Sequence, residues 1–357
     1  MNIAILTQPI KANYGGVLQN FALQTVLRKL GHNPITIDYR DSSPLWFYVL
    51  QTIKTCFFFF IPSCRRKFTS YRNVEKRDDK IMNFVRKYIR LTDEEYLRYK
   101  KSVIKKNSIN AIIVGSDQVW RPVYNPNCLY DMYLNFVKNI NITKIAYAAS
   151  FGVDVWEYNN KQWLKCKLLV KQFKAVSVRE KSGIEMCRTK LEVDAKEVLD
   201  PTLLLNRKEY EKTCSCVPIN RERYVCCYLL DVDNNKMTLI ENFAKRNNLS
   251  VVCFSAHEKL ECTVEEWLAM FRDAAFVITD SFHGTVFSII FHKDFYSLIN
   301  KERGGTRFIS LLSKFGLEKR LITEIPDINN PINWGAVEIK KKKWQEKSLK
   351  FLSYGLG

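Results

Sequence analysis

The chain has 357 residues, 46% of them hydrophobic and 13% aromatic, which excludes a disordered or fibrous protein and is enough for about two domains, each with its own core. A formal net charge of +19 points to an anionic partner: nucleic acid, an anionic membrane surface or a phosphorylated substrate. No helix-turn-helix, RNA-recognition or zinc-finger signature is present, which sets nucleic acid aside.

Asn2-Ile3-Ala4-Ile5-Leu6 reads as a first strand rather than a signal peptide, and eleven scattered cysteines without a leader imply a reducing compartment, the cytosol. The pairs Cys214/Cys216 and Cys226/Cys227 are too close together, and too poor in histidine partners, for a zinc site. After a loop, Leu18, Phe21, Ala22, Thr25, Val26 and Leu30 share a face, which predicts a helix over 17–30 stopped by Gly31. A strand at 34–38 completes a β-α-β unit. Its first turn lacks the three-glycine dinucleotide pattern, so a nicotinamide enzyme is not expected. Residues 44–62 are the most apolar window, interrupted by Gln51 and Lys54 and shorter than the roughly 20 residues of a spanning helix. Arg65, Arg66, Lys67, Arg72, Lys76 and Arg77 follow, so 44–77 fits a membrane-surface contact, or else a core helix followed by a solvated basic one.

Residues 80–99 read as a charged helix and 111–114 as a buried strand ending in Gly115-Ser116-Asp117-Gln118-Val119-Trp120. Asp117 there either meets a bound hydroxyl or caps the next segment through the backbone. A strand at 145–148, a helix at 163–173 and a strand at 175–178 follow, the last ending at Arg179. A guanidinium at a strand end either grips a carboxylate or phosphate through two parallel hydrogen bonds or simply pairs with Glu180 or solvent. Pro201 bars a helix from continuing out of Asp200. After a helix-and-loop passage at 209–220, strands at 224–230, 250–254, 276–278 and 295–298 alternate with helices at 236–247, 263–273, from Gly284 and at 307–315. A basic helix at 340–350 ends the series. The pattern is two α/β lobes with a boundary near residue 175.

Residues 276–288 hold the most suggestive turn. A buried strand passes through Thr279-Asp280-Ser281, the short polar residues that precede helices, into an apolar helix. Helix-start N–H groups favour an anion, His283 titrates near neutral pH, and Gly284 admits close approach of a ligand to the backbone. The alternative is an ordinary capped helix with a solvated histidine.

In order along the chain, N-Y-G-G-V-L-Q-N-F-A-L-Q, I-I-V-G-S-D-Q-V-W, S-V-R-E-K-S-G, L-D-P-T-L-L-L, T-D-S-F-H-G-T-V-F-S and R-F-I-S-L-L-S-K-F-G-L resemble the polysaccharide pyruvyl transferase family over about residues 1–317. G-S-D-Q-V-W and S-F-H-G are the most specific parts. The resemblance implies two Rossmann-like lobes of the B-class glycosyltransferase type with the active site in the interlobe cleft. Residues 1–175 would bind the acceptor, 176–330 the donor, and 331–357 would form a basic C-terminal helix. It implies transfer of pyruvyl from phosphoenolpyruvate onto a sugar, as a cyclic ketal such as a 4,6-linked one on a hexose, during capsule or exopolysaccharide synthesis. The acceptor would be a lipid-linked oligosaccharide, the enzyme cytoplasmic and peripheral to the inner face of an anionic membrane, with no metal and no cofactor beyond the co-substrate.

By position, Arg179 matches the family's donor-binding arginine and His283 its proton donor. Ser281, Phe282 and Gly284 complete the donor turn. Many relatives have a second arginine where this chain has Ser281, and Arg303, Arg307 and Lys293 are the nearest replacements. Asp117 is the candidate base, and Tyr14, Gly15, Gln19, Ser116, Asp117 and Trp120 the candidate acceptor residues. Competing readings are a nucleotide-sugar glycosyltransferase on the same fold and a degenerate, non-catalytic member.

Overall fold

Mostly uncharged, β-prone runs become the strands of two parallel sheets. The computed structural model describes residues 1–9, 13–39, 71–94, 96, 99–255, 262–299, 305–326 and 331–357, the side chains of 71–78 and 255 excepted. The candidate Arg303 and the membrane-contact segment 44–77 fall outside them, apart from the backbone of 71–77.

The first lobe runs through β1 (Asn2–Leu6), α1 (Tyr14–Lys29), β2 (Asn33–Thr36), α2 (Tyr71–Tyr88), α3 (Ser102–Lys106), β3 (Ala111–Val114), β4 (Thr143–Ala149), α4 (Asn160–Val170), β5 (Ala175–Val178), α5 (Lys181–Met186) and β6 (Lys196–Glu197). Its strands pair in the order β2-β1-β3-β4-β5-β6, every pair parallel. A parallel sheet is covered on both faces, and β3 accordingly buries every residue. Two expectations are corrected. The charged helix expected at 80–99 is α2, which ends at Tyr88; backbone bridges at Leu91 and Tyr96 follow it instead. The boundary expected near 175 lies beyond Glu197, because β5 and β6 extend the first sheet. Arg179 therefore projects from the N-terminal lobe and not from the C-terminal one.

The second lobe contains α6 (Arg207–Thr213), β7 (Tyr224–Leu229), α7 (Asn234–Arg246), β8 (Ser250–Ser255), α8 (Val264–Asp273), β9 (Phe276–Thr279), α9 (Phe282–Ile290), β10 (Phe295–Leu298), α10 (Thr306–Phe315) and β11 (Leu321–Ile322), its strands ordered β11-β10-β9-β7-β8 and again parallel. These two Rossmann-like sheets meet the fold expectation. A long helix, α11 (Trp334–Leu356), starts against the second lobe, where Trp334 stacks on His292 at 4.9 Å. It finishes on the first: Ser348 Oγ accepts from Leu199 N at 2.9 Å, and Gly355 packs on Ile145 and Ala175.

An aromatic seam joins the lobes. Tyr14 stacks on Trp267 at 5.6 Å, Phe21 meets Tyr210 edge-on at 6.3 Å, and Phe287 touches both Tyr210 and Trp267 at 5.0 Å. Such pairs add orientation to the burial of large rings. The seam brings the carboxyl ends of β3, β5 and β9 together, the end at which open α/β sheets bind ligands.

Candidate active site

Strand-end turns after β3, β5 and β6 and the N-terminal parts of α1, α9 and α10 supply the site. After β3, Gly115 and Asp117 have φ of 118° and 71°, a left-handed turn that lifts the Asp117 carboxylate out of the strand. A side chain at Gly115 would strike the Tyr147 carbonyl at 2.2 Å, so the turn needs glycine. Asp117 Oδ1 accepts from Gln118 N at 2.9 Å and from Arg179 Nη2 at 3.2 Å. Arg179, 4% exposed, also donates through Nη1 to Asp200 Oδ2 at 2.9 Å and lies 3.8 Å from Glu180 through Nε. Glu180 is pinned in turn, its Oε1 accepting from Phe151 N at 2.8 Å and Gly152 N at 3.3 Å.

From the second lobe, Ser281 caps α9 by accepting from Gly284 N at 3.3 Å, as expected of that polar turn. The capped start holds His283 toward α1. The imidazole packs on Gly15, and its Nε2 lies 3.9 Å from Asp200 Oδ2. Phe282 presents its ring to two guanidinium groups, Arg179 at 4.6 Å and Arg307 of α10 at 5.5 Å. Of the cations offered in place of the arginine absent at Ser281, Arg307 is the one that the described residues bring beside Phe282. Gly284 has a different use from the one expected: Thr279 Oγ1 would lie 2.2 Å from a Cβ there, so the missing side chain admits the strand and not a ligand.

Burial and neighbouring charge set the proton affinities. Burial pushes Asp117 up, but Arg179, His283, Arg307 and the Gln118 N–H together hold its carboxyl below the usual range. That suits an anchor for Arg179 and counts against the proton-accepting role expected of it. Burial opposes the Arg179 charge, yet Asp117, Asp200 and Glu180 raise its pKa above the ordinary value. Arg307 is held down to about 10 by burial and by Arg179. Burial lowers His283 as well, assisted by Arg179 and Arg307 and opposed by Asp200 and Asp117. Burial and the two arginines thus favour the neutral imidazole. His283 Nε2, Arg179 Nε, Glu180 Oε2 and Gln19 Oε1 are buried without a hydrogen-bond partner, an expensive state for polar groups.

The other expected residues divide. Gln19 enters the site, donating to Asp200 at 2.5 Å, and Ser116 lies 3.4 Å from the same carboxylate. Trp120 does not: it is fully buried, stacked on Tyr133 at 4.9 Å, and its indole N–H donates to Met132 O. Tyr14 belongs to the interlobe seam, donating to Cys262 O at 2.8 Å. Lys293 stands before β10, at the opposite end of the strands, where burial and Arg207 depress its ammonium. Asp200 escaped the site assignment, although the proline after it, which opens a short 3-10 helix that Asp200 caps, was the available signal.

The model of the family described as polysaccharide pyruvyl transferase matches residues 13–302. The chain belongs to the polysaccharide pyruvyl transferase family. The match spans Gly15, Asp117, Arg179, Asp200 and His283, and stops just before Arg307. No curated protein matches this pyruvyl transferase family member. Among solved structures it is similar to the UDP-GlcNAc 2-epimerase from Neisseria meningitidis bound to UDP-GlcNAc, with 9% identity over 100% of this chain and 96% of that one and a TM-score of 0.46. A putative UDP-N-acetylglucosamine 2-epimerase from Listeria monocytogenes gives 9% identity, coverage of 99% and 87%, and a TM-score of 0.48. The SsfS6 glycosyltransferase from Streptomyces sp. SF2575 gives 10%, 99% and 95%, and 0.39. Likenesses this distant carry nothing about substrate. Among the described residues of this transferase, no helix is long and apolar enough to cross a membrane.

Proposed function

We propose that the protein transfers pyruvyl from phosphoenolpyruvate to two hydroxyls of a sugar, forming a cyclic ketal. The observation that carries this reading is the packing of two buried arginines, Arg179 and Arg307, against the Phe282 ring beside a buried histidine. Phosphoenolpyruvate brings a phosphate and a carboxylate, and fixed guanidinium groups hold such oxygens bidentately. Its negative charge also restores the protonated form of His283, which Arg179 and Arg307 disfavour.

The reaction then proceeds by general acid catalysis. His283 gives a proton to the methylene carbon, and an acceptor oxygen bonds to the adjacent carbon as its hydroxyl proton leaves. The C–O bond to phosphate breaks, and a second hydroxyl closes the ring. Of the two hydroxyl protons, one ends on the new methyl group by way of His283 and the other on the departing phosphate. The balance requires no redox partner.

The acceptor in this proposal is a glycan on a lipid carrier, destined for a capsule or exopolysaccharide. The net charge of +19 supports work at an anionic membrane face. The test is incubation with phosphoenolpyruvate and galactose- or mannosamine-containing acceptors, with phosphate release and product mass as readouts. Release of phosphate with a ketal-mass product supports the reading; glycosyl transfer from a nucleotide sugar, with no phosphoenolpyruvate consumed, overturns it.

A further inference from the structure

We propose that Asp200 is a positioning residue that tunes the proton affinity of His283 and makes it respond to occupation of Arg179. The proposal rests on the pyruvyl-transfer reading above. Asp200 follows β6 as the N-cap of a short 3-10 helix, Pro201–Leu204, in which Thr202 locks the carboxylate. Thr202 N donates to Oδ1 at 3.1 Å and Thr202 Oγ1 to the same oxygen at 2.7 Å. The fixed Oδ1 leaves Oδ2 pointing at the site, where it meets Gln19 Nε2 at 2.5 Å, Arg179 Nη1 at 2.9 Å and Ser116 Oγ at 3.4 Å. All three belong to the first lobe. The fourth neighbour is the His283 imidazole from the second lobe, whose Nε2 is 3.9 Å away and has no hydrogen-bond partner.

With both carboxylate oxygens held by donors, Asp200 acts through its neighbours. At 3.9 Å it interacts with a charged imidazole but makes no hydrogen bond to it. The other charged groups facing His283 are Asp117, which favours its proton, and Arg179 and Arg307, which oppose it. Arg179 is thus both the competitor for Oδ2 and the group that the donor anion would engage. Once an anion takes up part of that guanidinium, Oδ2 is held less tightly by Arg179 and the protonated imidazole becomes its natural partner. Donor binding and arming of the acid are thereby linked through one oxygen.

The test is an NMR titration of the full chain with labelled histidine and aspartate, the His283 signal being assigned among four histidines by its loss in His283→Gln. Asp200→Asn should lower the His283 midpoint by about one pH unit. The alkaline limb of the pH profile of kcat/KM should move down with it. In the wild-type protein, the Asp200 carboxyl carbon should show a step at the His283 midpoint, and inorganic phosphate should raise that midpoint. The wild-type measurement stands even if Asp200→Asn does not fold. A folded Asp200→Asn with an unchanged midpoint and only a raised KM would reduce Asp200 to scaffold and overturn the proposal, as would a wild-type Asp200 signal with no step. The titration needs no turnover, so absence of pyruvyl transfer would sink the reaction and leave the coupling to be judged on its own.

Discussion

Gly15, in the first turn of α1, faces the imidazole of His283 so closely that a methyl group built on it would fall 2.0 Å from Nδ1. One lobe thus leaves out a side chain so that the acid of the other can sit against its backbone. Gly15→Ala should displace His283 and lower turnover about a hundredfold, the scale of a misplaced catalytic group. Phosphate release measures the loss, and circular dichroism should show the fold retained.

Arg307 is costly where it stands, held down to about 10 by burial and by Arg179. Arg307→Met removes a buried cation and keeps much of its volume. Its contacts, the Phe282 ring among them, are lost with the charge, so stability should fall. KM for phosphoenolpyruvate should rise at least roughly tenfold, the scale of a lost charge-assisted contact. Urea midpoints and steady-state kinetics separate the two effects, and an unaltered KM would take Arg307 out of the donor site.

The buried histidine also shapes acid stability. Its folded pKa lies below its ordinary value of 6.5, so the unfolded chain takes up that proton first. The contribution is complete above the ordinary value and declines as pH falls from there to the folded pKa. Asp117, also depressed, adds a second decline at lower pH, once its own ordinary range is passed. His283→Gln should therefore lose less stability between about pH 7.5 and pH 5 than the wild type. Urea midpoints across that range check it, and parallel curves for the two proteins would refute it.

Leu352 is fully buried in the shared core near the end of α11, in the turn that also places Gly355 on the first sheet. Leu352→Ala should cost about 2–4 kcal/mol through the cavity it leaves. Because it lies on α11 and not in the turns that carry the site residues, KM for phosphoenolpyruvate at low temperature should not change.

Much of this architecture was legible in residue order. Ala175–Val178 and Phe276–Thr279 are uncharged, β-prone and bounded by polar turns, so period and composition located the first to the residue and the second to within one, Thr279 reading as turn. Ser281 was recognisable as a cap because short polar side chains favour that position. The lobe boundary was not legible: β6 is only two residues, Lys196–Glu197, and carries charge, and nothing local marks such a piece as sheet. Trp120 misled because an aromatic beside a polar turn suits a sugar platform and a core equally, and only its packing on Tyr133 decides. Asp200 was hidden for a related reason. Its partners Gln19, Arg179 and His283 are scattered along the chain and meet only when two lobes close on one carboxylate.

The path of α11 has a consequence for synthesis. Domains generally acquire structure as they leave the ribosome, the earlier one first. Here Ser348, Leu352 and Gly355, which finish the first lobe's wall beside Leu199, Ile145 and Ala175, are translated only after every strand of the second lobe. The first lobe to be made is the last to be closed, and a nascent chain must shelter that open flank until its final helix arrives.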